Sequence, residues 1–323
     1  NIIAYLSTKV EGLPFPYTKY TPLELKSDWE KIRTEQQVIC ETEWSIPRCT
    51  LDEPHTYKGK YLCFKPTSYG LRTSNNFTEA IRFETDHKQY KGPITQWTRK
   101  GQKSSRRTFF RPYWGVIPSK EGMNSKNLIK ALNISCYIAS QFKPSTAKFL
   151  YDFFGAKRIL DPSAGWGDRL VGFLASNAES YIGIDPNTKL HKPYQQIVDF
   201  CETNKSTRFI CSPSEEADLT GVKVDFIFTS PPYFDTERYN KEDTQSWVRY
   251  PKLVDWREKF LFPTLAKCWE TLDEKGRIAI NISDKIRDDV KICQPMIDYM
   301  KSLGATYEGV IGFRISKRTG QQK

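Results

Sequence analysis

Only three histidines occur in 323 residues, and no two of the eight cysteines form a C-x-x-C pair. The histidines have no partner spacing, so none is given a catalytic role. Cys40, Cys49, His55 and Cys63 lie near one another, but their spacings match no common zinc finger or ribbon. The expectation is buried thiols, no metal, and a reducing intracellular compartment, either cytoplasm or a eukaryotic nucleus. No run of about 18 apolar residues is present, which argues against a membrane span. The apolar opening, residues 1–6, is short and lacks a basic leader and a small-residue cleavage site. Because it begins with Asn1, the native N-terminus is expected to be missing or processed. Internal repeats and low-complexity tracts are absent as well.

Negative charge is in short supply. Forty-nine Lys and Arg face 38 Asp and Glu, a formal +11 with a pI near 9.1. Such a surplus favours a polyanionic partner through counterion release, and nucleic acid is the first choice. Residues 1–125 hold 20 Lys and Arg against 13 Asp and Glu, and so carry +7 of the excess. Hydrophobic residues at 38% and aromatics at 14% are enough for a packed core.

From about residue 145 the chain alternates short apolar runs with helical patterns. Strands are expected near 158–160, 181–184, 208–211, 224–228 and 277–281. Helices are expected from Ser145 to the Gly155 stop, then near 167–176, 188–204, 256–272 and 287–303, with one or two β segments over 307–315. Strands of four or five apolar residues alternating with helices predict an α/β domain, a mostly parallel sheet with helices on both faces. Residues 1–125 lack this rhythm and read as a mixed or β-rich accessory region for substrate recognition. It would join the catalytic domain, 126–323, through a helical segment near 125–142.

Asp161-Pro162-Ser163-Ala164-Gly165-Trp166-Gly167 follows a predicted strand and opens a helix. Its glycines let backbone approach a ligand where a Cβ would collide. Asp161 sits at the strand tip, placed to take an ammonium. Asp185, followed by Pro186, sits at the next tip, where a carboxylate accepts from both ribose hydroxyls. Ser214 and Glu215 end the third strand, beside an expected adenine. A dinucleotide site would want a third glycine where Leu170 stands, and Gly172 is out of register, so S-adenosylmethionine is preferred.

Thr229-Ser230-Pro231-Pro232-Tyr233 ends the fourth strand. Tandem prolines cannot extend a central strand, because neither nitrogen carries a hydrogen. They make a stiff bracket that presents the Ser230 hydroxyl and the Pro231 carbonyl as acceptors. Two acceptors gripping the hydrogens of an exocyclic base amine localise a lone pair otherwise delocalised into the ring. Tyr233 offers a face on which an extruded base can stack.

Together these motifs resemble those of the DNA amino-methyltransferases, whose signature is (D/N/S)-P-P-(Y/F). The likeness covers about residues 143–315 and implies a Rossmann-like class I methyltransferase fold. It implies cofactor contacts by Asp161, Pro162, Ser163, Gly165, Gly167, Asp185, Pro186, Ser214 and Glu215. Ser230, Pro231, Pro232 and Tyr233 would hold the target base. The serine form with a later Tyr239 is similar to the N4-cytosine members, placing cytosine N4 ahead of adenine N6. In many of those members the catalytic motif precedes the cofactor motif; here the order is reversed. Two rival readings remain: an RNA base amino-methyltransferase, and a catalytically silent nucleic-acid-binding subunit.

Substrate contacts are expected at two further places. Arg99, Lys100, Lys103, Arg106, Arg107 and Arg111 supply six positive charges without an acid, followed by Tyr113 and Trp114, a pattern suited to phosphate and base. The loop 234–240, with Phe234, Arg238 and Tyr239, is expected to close over the target as a mobile lid. Arg314, Lys317 and Arg318 are placed to flank the same cleft.

Overall fold

The computed structural model describes residues 13–43, 51, 52, 54–98, 127–130, 132, 136–284 and 291–314. Helix α1 (Pro22–Thr34) begins at a capping box. Thr21 Oγ accepts from the Glu24 N–H, and the Glu24 carboxylate accepts from the Thr21 N–H at 2.8 Å. After β1 (Cys40–Glu41) and β2 (Leu62–Phe64) come α2 (Leu71–Arg82), β3 (Asp86–His87) and the short α3 (Pro93–Thr98).

The expected alternation follows: α4 (Pro144–Phe153), β4 (Arg158–Asp161), α5 (Asp168–Ala175), β5 (Ser180–Ile184), α6 (His191–Cys201), β6 (Ser206–Ile210) and β7 (Val224–Thr229). Then come β8 (Glu237–Arg238), α7 (Ser246–Arg249), α8 (Leu253–Trp256), α9 (Phe262–Thr271), β9 (Leu272–Ile280), α10 (Cys293–Ser302) and β10 (Gly312–Phe313). A π-helical turn at Arg257–Leu261 joins α8 to α9, so that helical stretch starts earlier than its pattern suggests. Helix α6 is shorter than expected. It follows a 3-10 turn at Thr188–Leu190 and stops where Glu202 turns left-handed.

Five strands form one wholly parallel sheet in the order β6-β5-β4-β7-β9. Winding outward from β4 in both directions gives the Rossmann-like, doubly wound arrangement of class I methyltransferases. It puts the switch of direction between β4 and β7, where such sheets bind ligands beyond their strand ends. The apolar run of β7 is buried on both faces, as a central parallel strand requires.

The expected division near residue 125 does not correspond to a break in packing. Trp29, Ile32 and Phe64 sit in the same apolar cluster as Ile159, Leu170 and Phe226. Strand β2 pairs antiparallel with β1 and parallel with β10 from the far end of the chain. The described part of the N-terminal region is thus one helical and stranded layer on the catalytic core. The expected helical connector near 125–142 is helical at 127–130 and 132 but not at 137–143, where Ser140, Gln141 and Phe142 line a cavity instead. The last β segment pairs with β2 rather than with itself. No helix among the described residues is long and apolar enough to cross a membrane. Among the same residues no His, Cys, Asp and Glu group is arranged to hold a metal.

Candidate active site

A cavity of about 1090 Å³ opens beyond the strand ends, and both motifs face it. On one side stands the turn between β4 and α5. Gly165 (φ +59°) and Gly167 (φ +77°) are both left-handed, which explains the residue type, but their surroundings differ. A Cβ on Gly165 would meet nothing nearer than the Ser163 carbonyl oxygen at 3.7 Å, an ordinary van der Waals contact on the cavity wall. A Cβ on Gly167 would stand 2.8 Å from Ile197 Cδ1. Gly165 lines the cavity, whereas Gly167 is a packing residue.

Asp185 lies on the wall at the tip of β5. Its carboxylate accepts from the Gly165 N–H at 2.9 Å and the Asn187 N–H at 2.9 Å. Burial pushes the group up to about 7 despite those two bonds. Ser163, Pro186, Ser214 and Glu215 share this side. Glu215 Oε1 accepts from Arg249 at 2.8 Å and Tyr250 at 3.1 Å, while its buried Oε2 has no partner.

Ser230, Pro231, Pro232 and Tyr233, which follow β7 beside β4, line the same cavity. Asn281, one residue beyond β9, holds them. Its main-chain N–H donates to the Thr229 carbonyl at 2.9 Å, and its main-chain carbonyl accepts the Ser230 hydroxyl at 3.0 Å. Its side-chain Nδ2 donates to Ser230 Oγ at 3.1 Å and to the Tyr233 hydroxyl at 3.3 Å. The Pro231 carbonyl takes no hydrogen bond among the described residues. Trp166 of the glycine turn meets Tyr239 edge-on at 5.6 Å, and both line the cavity.

Three expectations need correction. Asp161 is fully buried and off the wall, and its carboxylate is already saturated. It accepts from Arg169 Nε at 2.7 Å, Arg169 Nη2 at 3.3 Å, Tyr181 at 2.8 Å and the Ser163 N–H at 3.2 Å. It has no lone pair left for an ammonium. Pro162 and Gly167 are likewise off the wall.

The loop after the catalytic motif is not an unattached lid. Strand β8 pairs with β3, Lys88 bonds Asp235, and buried Glu237 accepts from Tyr137, the Ser140 N–H and hydroxyl, and Tyr239. Phe234 packs into the core against Trp256, and Arg238 stacks on Trp247. Of the three loop residues expected to contact substrate, only Tyr239 lines the cavity. Arg314 does reach the wall. Arg99, Lys100, Lys103, Arg106, Arg107 and Arg111 lie outside the described residues, as do Tyr113, Trp114, Lys317 and Arg318.

Sequence reasoning missed Asn281, Asp168, Arg169 and Glu237. The first had a usable signal, a polar residue at the carboxyl end of a strand beside the switch point. Asp168 and Glu237 depend on contacts between distant segments, and Arg169 on a pairing with nearby Asp161 that no local pattern marks.

No family model matches the chain, and no curated protein matches it. Solved structures overlap it in part. One is a SAM-dependent O-methyltransferase from Thermotoga maritima, with 14% identity, 51% of each chain covered and a TM-score of 0.35. TrmN from Thermus thermophilus has 17% identity, 42% of this chain and 37% of its own covered, and a TM-score of 0.32. An SAH-bound methyltransferase from Podospora anserina has 14% identity, 52% of this chain and 70% of its own covered, and a TM-score of 0.33. The chain spans about half or less of the first two. At these scores the overlaps add nothing on substrate, and the fold rests on strand order.

Proposed function

We propose that this protein is an S-adenosylmethionine-dependent methyltransferase acting on the exocyclic amine of a DNA base, cytosine N4 ahead of adenine N6. The observation that carries the reading is that Ser230 and Pro231 line one cavity together with Gly165 and Asp185. The residues suit adenosine: a carboxylate for ribose hydroxyls, a turn with room beside its backbone, and a buried orphan acceptor on Glu215 for the adenine amine. The volume exceeds what one small ligand needs, leaving space for a base as well.

The cofactor supplies a methyl group on a sulfonium. Everything else falls to the chain. The Ser230 hydroxyl spends its hydrogen on the Asn281 carbonyl, so the lone pair left over faces an incoming amine as an acceptor. The Pro231 carbonyl offers a second acceptor, fixed by the diproline. Gripping both amine hydrogens orients the nitrogen lone pair for attack in line on the methyl. The ring of Tyr233, its hydroxyl tied to Asn281, gives the base a flat support. No strong base would be required, since the amine proton becomes acidic as methylation begins and would leave to solvent, with S-adenosylhomocysteine as the leaving group.

Tritiated methyl transfer to duplex DNA, single-stranded DNA and RNA, followed by nucleoside analysis, tests the proposal. Label in DNA as N4-methylcytosine is expected. Label confined to RNA would replace the substrate class, and no label in any substrate despite cofactor binding would favour a silent subunit.

A further inference from the structure

The amino-acid end of S-adenosylmethionine is a zwitterion and needs one anion and one cation from its site. Asp161 cannot be the anion, because every acceptor position on it is filled and it lies off the wall. The next carboxylate along the chain is different. Asp168, the first residue of α5, is 2% exposed and lines the cavity. Its Oδ1 accepts from the Ser74 hydroxyl at 2.5 Å and from Gln141 Nε2 at 2.9 Å. Its Oδ2 takes no hydrogen bond among the described residues. One carboxylate oxygen of a largely buried side chain on the cavity wall thus keeps its acceptor capacity for a ligand.

Arg169 follows directly and lines the same wall. Its Nε and Nη2 are committed to Asp161 and to the Ser163 carbonyl, while Nη1 takes no hydrogen bond among the described residues. Asp161 therefore serves to hold a guanidinium in place rather than to touch ligand.

We infer that Asp168 and Arg169 clamp the amino-acid end of the cofactor, Asp168 Oδ2 accepting from its ammonium and Arg169 Nη1 donating to its carboxylate. The inference rests on the cofactor proposed above. It accounts for two adjacent residues of opposite charge, each with one unused polar atom, beside the glycine turn. The electrostatics agree. Burial pushes the Asp168 carboxyl up to about 7, against the pull of the Ser74 and Gln141 hydrogen bonds and the Arg82 and Arg169 charges. A ligand cation against Oδ2 restores the ionised form.

Calorimetric titration with three ligands tests this: S-adenosylhomocysteine, its analogue lacking the α-amino group, and methylthioadenosine, which lacks the whole amino acid. Asp168→Asn should weaken S-adenosylhomocysteine about ten-fold or more, the worth of a charge-assisted hydrogen bond, and leave the other two ligands unchanged. Equal weakening of all three, or of none, would overturn the clamp while sparing the cofactor assignment, provided the wild type still binds methylthioadenosine. A wild type that binds none of the three would overturn both. Should the variant fail to fold, the wild type carries the same test. Its preference for S-adenosylhomocysteine over the des-amino analogue should rise between pH 6 and 8 as Asp168 ionises. A flat ratio would refute the clamp. Asp185, which also titrates there, meets the same ribose in both ligands and cancels.

Discussion

Ser230 and Asn281 are hydrogen-bonded in both directions: the serine hydroxyl donates to the Asn281 main-chain carbonyl at 3.0 Å and accepts from its side-chain Nδ2 at 3.1 Å. A serine with a free hydroxyl would rotate and offer its hydrogen to an amine as readily as its lone pair. Tied to a main-chain carbonyl, it can only accept from the substrate.

The pair therefore gives a graded prediction. Ser230→Ala should lower kcat on the order of 100-fold, the size of effect seen when one preorganised polar partner of a reacting group is lost. S-adenosylhomocysteine affinity should stay the same. Asn281→Ala keeps the main-chain acceptor and removes only Nδ2, so a loss of about ten-fold is expected. Steady-state kinetics with calorimetry checks both. Full activity in Ser230→Ala would remove the serine from the mechanism. Combining the two changes should cost little more than Ser230→Ala alone, because Asn281 acts through the serine.

The two glycines should separate binding from folding. Gly165→Ala strains a left-handed residue by about 1–2 kcal/mol and adds a methyl group at the cavity wall without a clash. Its melting temperature should fall only by the few degrees that this strain costs, while S-adenosylhomocysteine binds at least ten-fold more weakly. Gly167→Ala carries the same strain and drives its Cβ toward Ile197 and Tyr194. Its melting temperature should fall by several degrees, with near-normal affinity in whatever remains folded. The reverse pattern in melts and titrations would exchange the roles assigned to them.

The divide between what could be read from the sequence and what could not follows the range of the interactions. Periodicity reports which faces of a segment are apolar, and it located the strands around Ile159, Ile182 and Ile227 to within a residue or two. The glycine turn and diproline announce themselves because backbone geometry restricts the residues allowed there. The pairing of Arg169 with Asp161 is close in sequence, yet an acid at a strand tip looks the same whether it meets a ligand or a guanidinium. Glu237 presented as part of a polar loop. Its partners Tyr137 and Ser140 come from a segment about 100 residues earlier, a link no local pattern records. For the same reason the helix that carries Trp29 and Ile32 looked like part of a separate region.

That anchoring yields a stability prediction. The Glu237 carboxylate is 6% exposed and accepts four hydrogens, including 2.7 Å from the Tyr239 hydroxyl and 3.0 Å from the Ser140 N–H. Glu237→Ala leaves several buried donors unpaired and should cost about 2–4 kcal/mol. The 234–240 loop should then become a site of early proteolysis. Lys88→Ala, at a partly exposed ion pair with Asp235, should cost under about 1 kcal/mol. Denaturant melts and limited digestion measure both; equal small effects would mean that the loop is held by its β pairing alone.

Stability should also depend on pH in an unusual direction. Burial raises Asp185 from 3.8 to about 7, opposed by the Gly165 and Asn187 N–H groups and by Arg169, and reinforced by Asp161. Tyr194 and Cys211 also face it, and both thiol and phenol stay neutral in this range because their own groups are pushed up. The sign follows from proton counts. Between about pH 4 and 7 the folded protein keeps a proton on Asp185 that the unfolded chain has released, so the unfolded state binds fewer protons and stability falls as pH rises. Asp168, raised to about 7 in the same way, adds to the slope. The unliganded protein should therefore melt at a lower temperature at pH 7.5 than at pH 5.5, and Asp185→Asn should flatten that decline. Ribose hydroxyls donate best to an ionised carboxylate, so the rise in melting temperature produced by S-adenosylhomocysteine should grow across the same interval. An Asp185→Asn protein with the wild-type slope would show that this carboxyl does not titrate in the window, and would remove the electrostatic reason for placing ribose beside it.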